Sequence, residues 1–168
     1  MVVNTIEAQL ILHEGLRTDL YYCPGGYLTI GVGRNLEARG LSKEEQAHMF
    51  GETGLSHNEI IERFKAEGIS KEHALYLLAS DIAICKNDLQ SFAWFDELDP
   101  IRQKVMIDMR FNLGATGFRQ FRRMIKALEI GDYQKAAAEM KNSKWYHQVN
   151  VRSRRLVKMM ITGEDYKT

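Results

Sequence analysis

Three side chains in the N-terminal part of the sequence have types and spacings that suit a catalytic site. Glu14 is followed by eight residues and then Cys23, and Thr29 comes after five further residues. A carboxyl group can donate a proton to a leaving group, an ionised thiol can act as base or nucleophile, and a hydroxyl can orient water. Residues 10–34 are therefore a candidate active site, and the surrounding elements must position these groups.

A helix is predicted to end at Glu14. Asn4 and Glu7 have the spacing of a capping box, and Gly15 is typical of a residue that stops a helix. The apolar stripe of this helix consists of Ile6, Leu10 and Ile11. A carboxyl group in the last turn of a helix faces the negative end of the dipole, which favours the protonated form that a general acid needs. An isolated glutamate at such a position is, however, more often a solvated surface residue.

A β-hairpin is predicted to follow this helix. Two segments rich in aromatic and β-branched residues, 20–22 and 27–30, flank a Pro-Gly-Gly sequence at 24–26, which suits a tight turn. A three-residue loop makes Cys23 the partner of Tyr27, and the same register pairs Tyr21 with Thr29. Cys23 and Thr29 are then diagonal neighbours on one face of the ribbon. A purely structural hairpin with an inert Cys23 fits the same pattern.

The stretch resembles the catalytic region of the phage-type lysozymes, the endolysin muramidases of tailed phages. Their motif is Glu, eight residues, Asp or Cys, five residues, and Thr, which Glu14, Cys23 and Thr29 match. The segments HEGLR, GYLTIGVGR and SKWYHQVNVRSRR match as well, so the resemblance covers nearly the whole chain. The main departure is extra sequence between Leu36 and Ile69, which is longer than in the shorter family members.

The resemblance implies a substrate-binding set and a reaction. Phe111, Asn112 and Asn35 are expected to bind substrate, although roles in helix packing for Phe111 and at a helix end for Asn112 fit equally well. The expected reaction is hydrolysis of the β-1,4 bond between N-acetylmuramic acid and N-acetylglucosamine in bacterial peptidoglycan. Inversion is expected, which implies two catalytic groups ~6.5–9.5 Å apart with water between them.

The resemblance also implies a role for each catalytic group. Glu14 is expected to be the general acid, while Thr29 and Cys23 position or activate water. Cys23 stands where many relatives have Asp, and a thiol is mostly neutral at pH 7, since its ordinary pKa is about 8.5. Whether the sulfur is a base, a nucleophile or only shapes the pocket stays open. The reaction needs neither a metal nor a cofactor.

Three further residues are expected to support the site. Arg152 aligns with the family's arginine that pairs with the catalytic Glu, here Glu14. Arg34 is the last residue of the glycine-containing segment that follows the hairpin. It is expected to pair with Asp81 on a long helix, because the family has an acidic residue there that pairs with a cation at the position of Arg34.

Three alternatives to a muramidase remain open. A lytic transglycosylase needs Glu14 alone, and the missing second carboxylate favours it. A non-catalytic protein would bind cell walls without cleaving them. A nucleic-acid binder is suggested by charge, because residues 101–168 hold 15 Lys+Arg and 6 Asp+Glu, whereas residues 1–100 hold 8 and 16. No zinc-finger, RNP-like or P-loop motif supports it, so no nucleic-acid partner is expected.

The predicted fold class is α+β and mainly helical. A small N-terminal lobe with a short antiparallel sheet is joined by a long helix to an all-helical C-terminal lobe. The 168 residues are expected to form a single lysozyme domain, with lobes at 15–70 and at 92–168 plus 1–14, and a connecting helix at 71–91. A third strand is predicted near residues 35–36. Other helices are predicted at 43–51, 58–66, 100–113, 122–129, 132–142 and 150–161. The first two divide the segment from Leu36 to Ile69 and are expected to pack on the sheet away from the cleft. Ser42 and Glu45 have the spacing of a capping box, Ser70 is expected to cap the connecting helix, and Asp99 and Pro100 are typical of an N-cap and a first helical residue. The connecting helix has an apolar stripe that consists of Ala74, Leu77, Leu78, Ile82, Cys85 and Leu89.

The expected setting follows from the N-terminus and the cysteines. The N-terminus has no basic region before its apolar stretch, so a signal peptide is not expected. No run of eighteen apolar residues occurs, so membrane insertion is not expected. Cys23 and Cys85 are expected to be reduced thiols. By the resemblance, a monomer is made in the host cytoplasm, is released through a holin-type pore and acts on the cell wall in the periplasm.

Overall fold

The computed structural model describes residues 3–167. Met1, Val2 and Thr168 lie outside the described residues. The predicted single domain includes all three, and the predicted N-terminal segment 1–14 includes the first two. The rest is mainly helical, with a three-stranded antiparallel sheet near the N-terminus. This confirms the predicted α+β fold class.

The described residues form nine helices and three strands. The strands are β1 (Arg17–Tyr22), β2 (Leu28–Gly31) and β3 (Arg34–Asn35). The helices are α1 (Ile6–Glu14), α2 (Lys43–Phe50), α3 (His57–Glu67), α4 (Lys71–Leu89), α5 (Pro100–Arg119), α6 (Arg122–Glu129), α7 (Tyr133–Lys141), α8 (Lys144–Val149) and α9 (Val151–Thr162).

The chain divides into two compact units. The N-terminal unit is Leu10–Asp81 and contains the sheet. The helical unit consists of the residues up to Gln9 together with those from Ile82 onward. The boundaries fall inside α1 and α4, so each unit includes part of both helices. The single-domain assignment stays a prediction.

Helix α1 begins one residue later than the predicted capping box requires. The predicted Asn4–Glu7 box is wrong, because Thr5 Oγ1 accepts a hydrogen bond from the Ala8 backbone N–H at 3.1 Å. Thr5 is therefore the N-cap. The predicted stop is confirmed, since Gly15 has φ +77° and its N–H donates to the Ile11 carbonyl at 2.8 Å.

The sheet has the predicted hairpin register. Tyr21 lies opposite Thr29, and the Cys23 N–H donates to the Tyr27 carbonyl at 2.9 Å across the turn. β1 begins at Arg17, earlier than predicted, with an irregular register between Arg17 and Tyr21. The third strand lies one residue before its predicted place and continues the antiparallel order β1-β2-β3.

Two helices follow the sheet, as predicted for the segment from Leu36 to Ile69. Ser42 and Glu45 form the predicted capping box of α2, and α3 begins after Ser56. Helix α3 contacts β1 and contributes to an apolar cluster with the sheet and α4, and Met49 and Phe50 of α2 pack against this cluster. The cluster consists of Ile30, Leu36, Leu41, Ile60, Ile61, Phe64, Ile69, Ala74 and Leu77. The expectation that these helices lie away from the cleft stays a prediction.

Helix α4 matches its predicted pattern. The Ser70 hydroxyl accepts the His73 N–H at 3.0 Å, which confirms the predicted N-cap. The six residues of its predicted apolar stripe are all buried: Ala74, Leu77, Leu78, Ile82, Cys85 and Leu89. It ends two residues before the predicted Ser91. Cys23 and Cys85 are not joined by a disulfide.

The helical unit departs from prediction at two places. Asp99 caps α5 and Pro100 occupies the first turn, as predicted, and Gly114 breaks the helical backbone with φ +77° and ψ +170°. The first helical segment of α5 therefore ends at Gly114, as predicted, but a second segment that was not predicted continues to Arg119. The predicted connection around Trp145 and Tyr146 is helix α8, which buries Trp145. No helix within residues 3–167 has both the length and the apolarity needed to cross a membrane.

Candidate active site

Glu14 is the last residue of α1, and its side chain lies against Gly33 in the turn between β2 and β3. A Cβ atom added to Gly33 would lie 2.8 Å from Glu14 Oε2 and 3.0 Å from its Cδ. Gly33 also has φ +64°, a conformation that favours glycine. The glycine therefore serves two needs at once, because the turn requires its backbone conformation and the Glu14 carboxyl group requires the open space.

Cys23 follows β1 and its sulfur faces a group of hydrogen-bond donors. Burial raises the pKa of the Cys23 thiol, but hydrogen bonds from the backbone at Tyr27, Gly25 and Gly26 and from the Thr29 side chain lower it below its ordinary value on balance. The tight turn supplies these donors, because the Gly26 N–H donates to the Cys23 carbonyl at 2.8 Å and folds the loop back. The turn therefore favours the thiolate form of Cys23.

Thr29 is 2% exposed in the central strand β2. Its hydroxyl donates to the Tyr27 carbonyl at 2.8 Å, and the hairpin register makes Thr29 a diagonal neighbour of Cys23. The predicted proximity of Cys23 and Thr29 is therefore confirmed. Because Thr29 has one hydroxyl proton, it can donate to the Tyr27 carbonyl while accepting from the Cys23 S–H, or donate to a Cys23 thiolate.

Tyr21 is a neighbour of these groups that the sequence analysis did not select. It is half-buried opposite Thr29. Burial raises the pKa of the Tyr21 phenol, as do the nearby Glu14 and Cys23, whereas a hydrogen bond with the Gly33 backbone lowers it. The available signal was strand alternation, which puts Tyr21 on the same face of the strand as Cys23 two residues later.

Arg34 anchors β3 through a buried ion pair. The side chain is 2% exposed, and its Nε donates to Asp81 Oδ2 at 3.0 Å, which confirms the predicted pair. The sequence analysis missed Glu45, whose Oε2 lies 2.8 Å from Arg34 Nη1. Arg34 also donates to the carbonyls of Gly40 at 3.0 Å and Leu77 at 3.3 Å. This strand, which pairs with β2, is therefore held to α4 and to the loop before α2.

Asn35 lies beside the site but uses its side-chain oxygen locally. It pairs with Thr29 in the sheet. Its Oδ1 accepts the N–H groups of Glu37 and Ala38, both at 2.9 Å. The side chain thus shapes the turn after β3, and its predicted contact with substrate stays a prediction.

The remaining predicted residues belong to the helical unit. Phe111 and Asn112 are half-buried on α5, and Asn112 Oδ1 accepts the Trp145 indole N–H at 2.8 Å. Arg152, on the first turn of α9, donates through Nε to Asp108 Oδ1 at 2.7 Å. Asp108 is fully buried and was not predicted. The roles of Phe111 and Asn112 in substrate binding, and the pairing of Arg152 with Glu14, stay predictions.

Comparison with known proteins identifies the family. The sequence profile described as phage lysozyme matches residues 12–159 of the chain. The chain belongs to the phage lysozyme family. It is therefore a lysozyme, a muramidase of the glycoside hydrolase class whose substrate is peptidoglycan.

Curated relatives of this lysozyme come from an amoeba and a phage. "Probable T4-type lysozyme 1" and "Probable T4-type lysozyme 2" of Dictyostelium discoideum are each 27% identical, over 96% and 99% of this chain and 96% and 100% of their own lengths. "Pre-baseplate central spike protein Gp5" of Enterobacteria phage T4 is 28% identical over 89% of this chain, which corresponds to 26% of that protein.

Proposed function

We propose that this lysozyme hydrolyses the β-1,4 bond between N-acetylmuramic acid and N-acetylglucosamine, with Glu14 as the general acid. This assignment rests on the packing of the Glu14 carboxyl group against Gly33. A Cβ atom added to Gly33 would lie 2.8 Å from Glu14 Oε2. A proton donor must be held in one place relative to the glycosidic oxygen, and this packing restricts the carboxyl group.

The second half of the reaction is assigned to Cys23 and Thr29. Glu14 gives its proton to the leaving oxygen as the glycosidic bond breaks, and a water oxygen bonds to the anomeric carbon from the opposite face. The proton of that water passes to the Cys23 thiolate. Thr29 supports this step because its hydroxyl can donate to the thiolate, and hydrogen bonds from the turn backbone lower the pKa of the Cys23 thiol, which favours the thiolate form. Inversion is the expected outcome.

The other predicted residues are assigned supporting or binding roles. Arg34 and Asp81 hold β3 against α4 and thereby keep the sheet in place. Arg152 pairs with Glu14, and Phe111, Asn112 and Asn35 bind the glycan. Alanine substitutions of the binding residues should raise KM for soluble glycan strands with little change in kcat.

The proposed biological role is host cell lysis by an endolysin. In this account a monomer is made in the host cytoplasm, leaves through a holin-type pore and cleaves the wall in the periplasm, with no nucleic-acid partner. The phage lysozyme family membership supports this role. Recovery of the protein in purified virions instead of the soluble lysate would contradict it and indicate a lysozyme carried by the virion.

Product analysis tests the reaction itself. Digestion of purified peptidoglycan should produce new reducing ends, as hydrolysis requires. Accumulation of 1,6-anhydro sugars would instead indicate a lytic transglycosylase, and binding to walls without any cleavage would indicate a non-catalytic wall-binding protein.

A further inference from the structure

The backbone of Tyr27 connects Cys23 with Thr29. Its carbonyl oxygen accepts two hydrogen bonds, one from the Cys23 N–H at 2.9 Å and one from the Thr29 hydroxyl at 2.8 Å. Cys23 follows β1 and Thr29 belongs to β2, so these two bonds join both sides of the hairpin at Tyr27. Tyr27 is therefore an immediate neighbour of both groups to which the handling of water is assigned.

The side chain of Tyr27 lies on the hairpin loop, next to the Cys23 sulfur. A Cβ atom added to Gly25 would lie 3.2 Å from Cδ2 and Cε2 of the Tyr27 ring and 3.7 Å from Cys23 Sγ. The ring and the sulfur therefore both border the space beside Gly25. Gly25 does not have a positive φ, so the close approach of the ring, and not the backbone conformation, favours glycine at this position.

The ring of Tyr27 remains accessible in spite of this contact. Tyr27 is 51% exposed, and the neighbouring Tyr22 is 70% exposed. Tyr22 pairs with Leu28, whereas the Tyr27 carbonyl accepts the N–H of Cys23, so strand alternation puts the two tyrosines on opposite faces of the hairpin. Of these two exposed tyrosines, Tyr27 is the one on the face that carries Cys23.

An exposed aromatic ring in this position suits a sugar. A pyranose ring has a face of C–H groups that can pack on an aromatic side chain, while its hydroxyl groups bind the polar groups of a site. The contact with Gly25 already restricts the Tyr27 ring. Little side-chain entropy is therefore lost when a sugar packs on it.

We propose that Tyr27 is a glycan-binding residue of the candidate site and that its exposed ring packs on the apolar face of a peptidoglycan sugar beside Cys23. The ligand is an N-acetylated pyranose of the glycan strand. The ring contributes affinity and takes no part in bond cleavage. This inference rests on the proposed function, because that function places the glycan beside Cys23.

Truncation of the ring tests the contact. Tyr27→Ala should raise KM for soluble glycan strands about tenfold, with kcat within about threefold of wild type, because a binding contact is lost while the reacting groups remain. Tyr27→Phe keeps the ring and should stay within about twofold of the wild-type KM. Tyr22→Ala is the matched control on the opposite face and should leave KM unchanged.

Three results would overturn the proposal. The first is an unchanged KM in Tyr27→Ala. The second is an equal rise of KM in Tyr22→Ala, which would show that any exposed tyrosine of the hairpin has the same effect. The third is a rise of KM in Tyr27→Phe as large as that in Tyr27→Ala, which would assign the effect to the hydroxyl group and not to packing on the ring.

Gly25→Ala tests the position of the ring. Its methyl carbon would lie 3.2 Å from two ring carbons, closer than the separation of about 3.5–4.0 Å that carbon atoms prefer. The ring should shift, and KM should rise about threefold. In the Tyr27→Ala background no ring is present, so Gly25→Ala should cause no further rise. Additive rises in KM would contradict the proposal, because they would assign the effect to the loop.

Binding measured without turnover separates this inference from the proposed function. The probe is a purified oligomer of alternating N-acetylglucosamine and N-acetylmuramic acid, titrated into Glu14→Gln and into Glu14→Gln/Tyr27→Ala. The Kd should be about tenfold higher for the double variant. Equal Kd values would overturn the role of Tyr27 alone. Cleavage of the probe by Glu14→Gln would refute the assignment of the acid, and the KM values of the Tyr27 variants would then decide the role of Tyr27.

Discussion

Each unit contains arginine side chains gathered around carboxylates, and the two clusters differ in their exposure to water. In the N-terminal unit the side chains of Arg34 and Glu45 are 2% and 3% exposed. In the helical unit Asp88 binds Arg110 and Arg119, and the side chains of Asp88 and Arg119 are 22% and 40% exposed. The first cluster is sealed from solvent, and the second is partly hydrated.

This difference determines what each cluster can contribute. Buried charges lose their hydration, so removing one member of the Arg34 cluster costs more than removing an exposed charge. Arg39, whose side chain is 31% exposed, also pairs with Glu45 and Asp81 at the edge of this cluster. Partly exposed pairs are screened by water and salt, so the Asp88 cluster contributes less. The sealed cluster also holds the strand next to β2, which carries Thr29, and this connects the stability of the N-terminal unit to its candidate site.

Breaking the sealed cluster should have the largest effect on stability. Arg34→Met leaves Glu45 and Asp81 with only the partly exposed Arg39 as a cation. It should lower the free energy of unfolding by about 3 kcal/mol, the lower end of the range for breaking a buried ion pair. Urea denaturation measures this. Arg63→Met is the control within the same unit, because Arg63 pairs with Glu52 on the surface and should cost about 0–1 kcal/mol. Similar losses for the two variants would show that burial does not distinguish these ion pairs.

The capping box explains why only part of the sealed cluster was predictable. The local spacing of Ser42 and Glu45 predicted the α2 cap, and Glu45 Oε1 does accept the Ser42 N–H at 3.2 Å. Its other oxygen reaches Arg34, a contact that depends on how the intervening chain folds. The Arg34–Asp81 pair came from the family resemblance, since no local pattern joins residues so far apart.

The same limit applies to the candidate site and to the helical unit. The pairing of Cys23 and Thr29 followed from turn length and strand alternation, which are local. The contact of Glu14 with Gly33 joins a helix end to the turn between β2 and β3, which periodicity does not reveal. In the helical unit, the resumption of α5 after Gly114 was missed because a glycine usually ends a helix.

The two cysteines extend the comparison to chemical reactivity. Cys23 on the hairpin is partly exposed, whereas Cys85 on α4 is 3% exposed. A small thiol reagent should therefore modify Cys23 selectively, as peptide mapping would show, and a bulky adduct there should stop lysis. Full activity after complete modification of Cys23 would remove it from the site.

Substitutions at Cys23 define what the sulfur does. Cys23→Ala should reduce activity about 10²-fold, the lower end of the range for a positioned proton acceptor, and far less than the loss of Glu14. Cys23→Asp should be active, and its activity should extend to lower pH because a carboxyl group ionises near pH 4. Unchanged activity in Cys23→Ala would show that the sulfur only shapes the pocket.

The partly hydrated cluster around Asp88 should have a smaller effect on the free energy of unfolding, and this effect should depend on pH. The hydrogen bond from Arg119 lowers the pKa of Asp88 from 3.8 to about 2, with Arg110 acting in the same direction against burial. A depressed pKa contributes stability above pH 3.8 that is lost as the pH falls to about 2. After allowance for solvent exposure, Asp88→Asn should cost about 1–2 kcal/mol at pH 6 and little near pH 2.

Denaturation of Asp88→Asn at pH 6 and near pH 2 checks this prediction. Asp96→Asn, on the surface of the same unit, is the control. High salt should reduce the effect of Asp88→Asn at pH 6. A cost that does not change with pH would contradict the assignment to charge.

The smallest effect concerns how the two units accommodate positive φ. Both units have glycines at positive φ, such as Gly33 and Gly114, but among the described residues the helical unit also has a non-glycine residue there, Asn150, at φ +56° and ψ −104° between α8 and α9. Asn150→Gly should relieve this strain and raise the free energy of unfolding by about 1 kcal/mol. Asn142→Gly, at φ −87°, should instead lower it by about 0.5–1 kcal/mol. Destabilisation by both glycines would show that Asn150 is not strained.

The central claim is that Glu14 is the general acid, and Glu14→Gln tests it most directly. The amide preserves the shape of the side chain but cannot donate an acidic proton. Lysis of cells with permeabilised outer membranes should be abolished, with an unchanged thermal midpoint of unfolding, while Glu44→Gln, on the exposed side of α2, should lyse at the wild-type rate. Retention by Glu14→Gln of more than a few per cent of that rate would contradict the assignment.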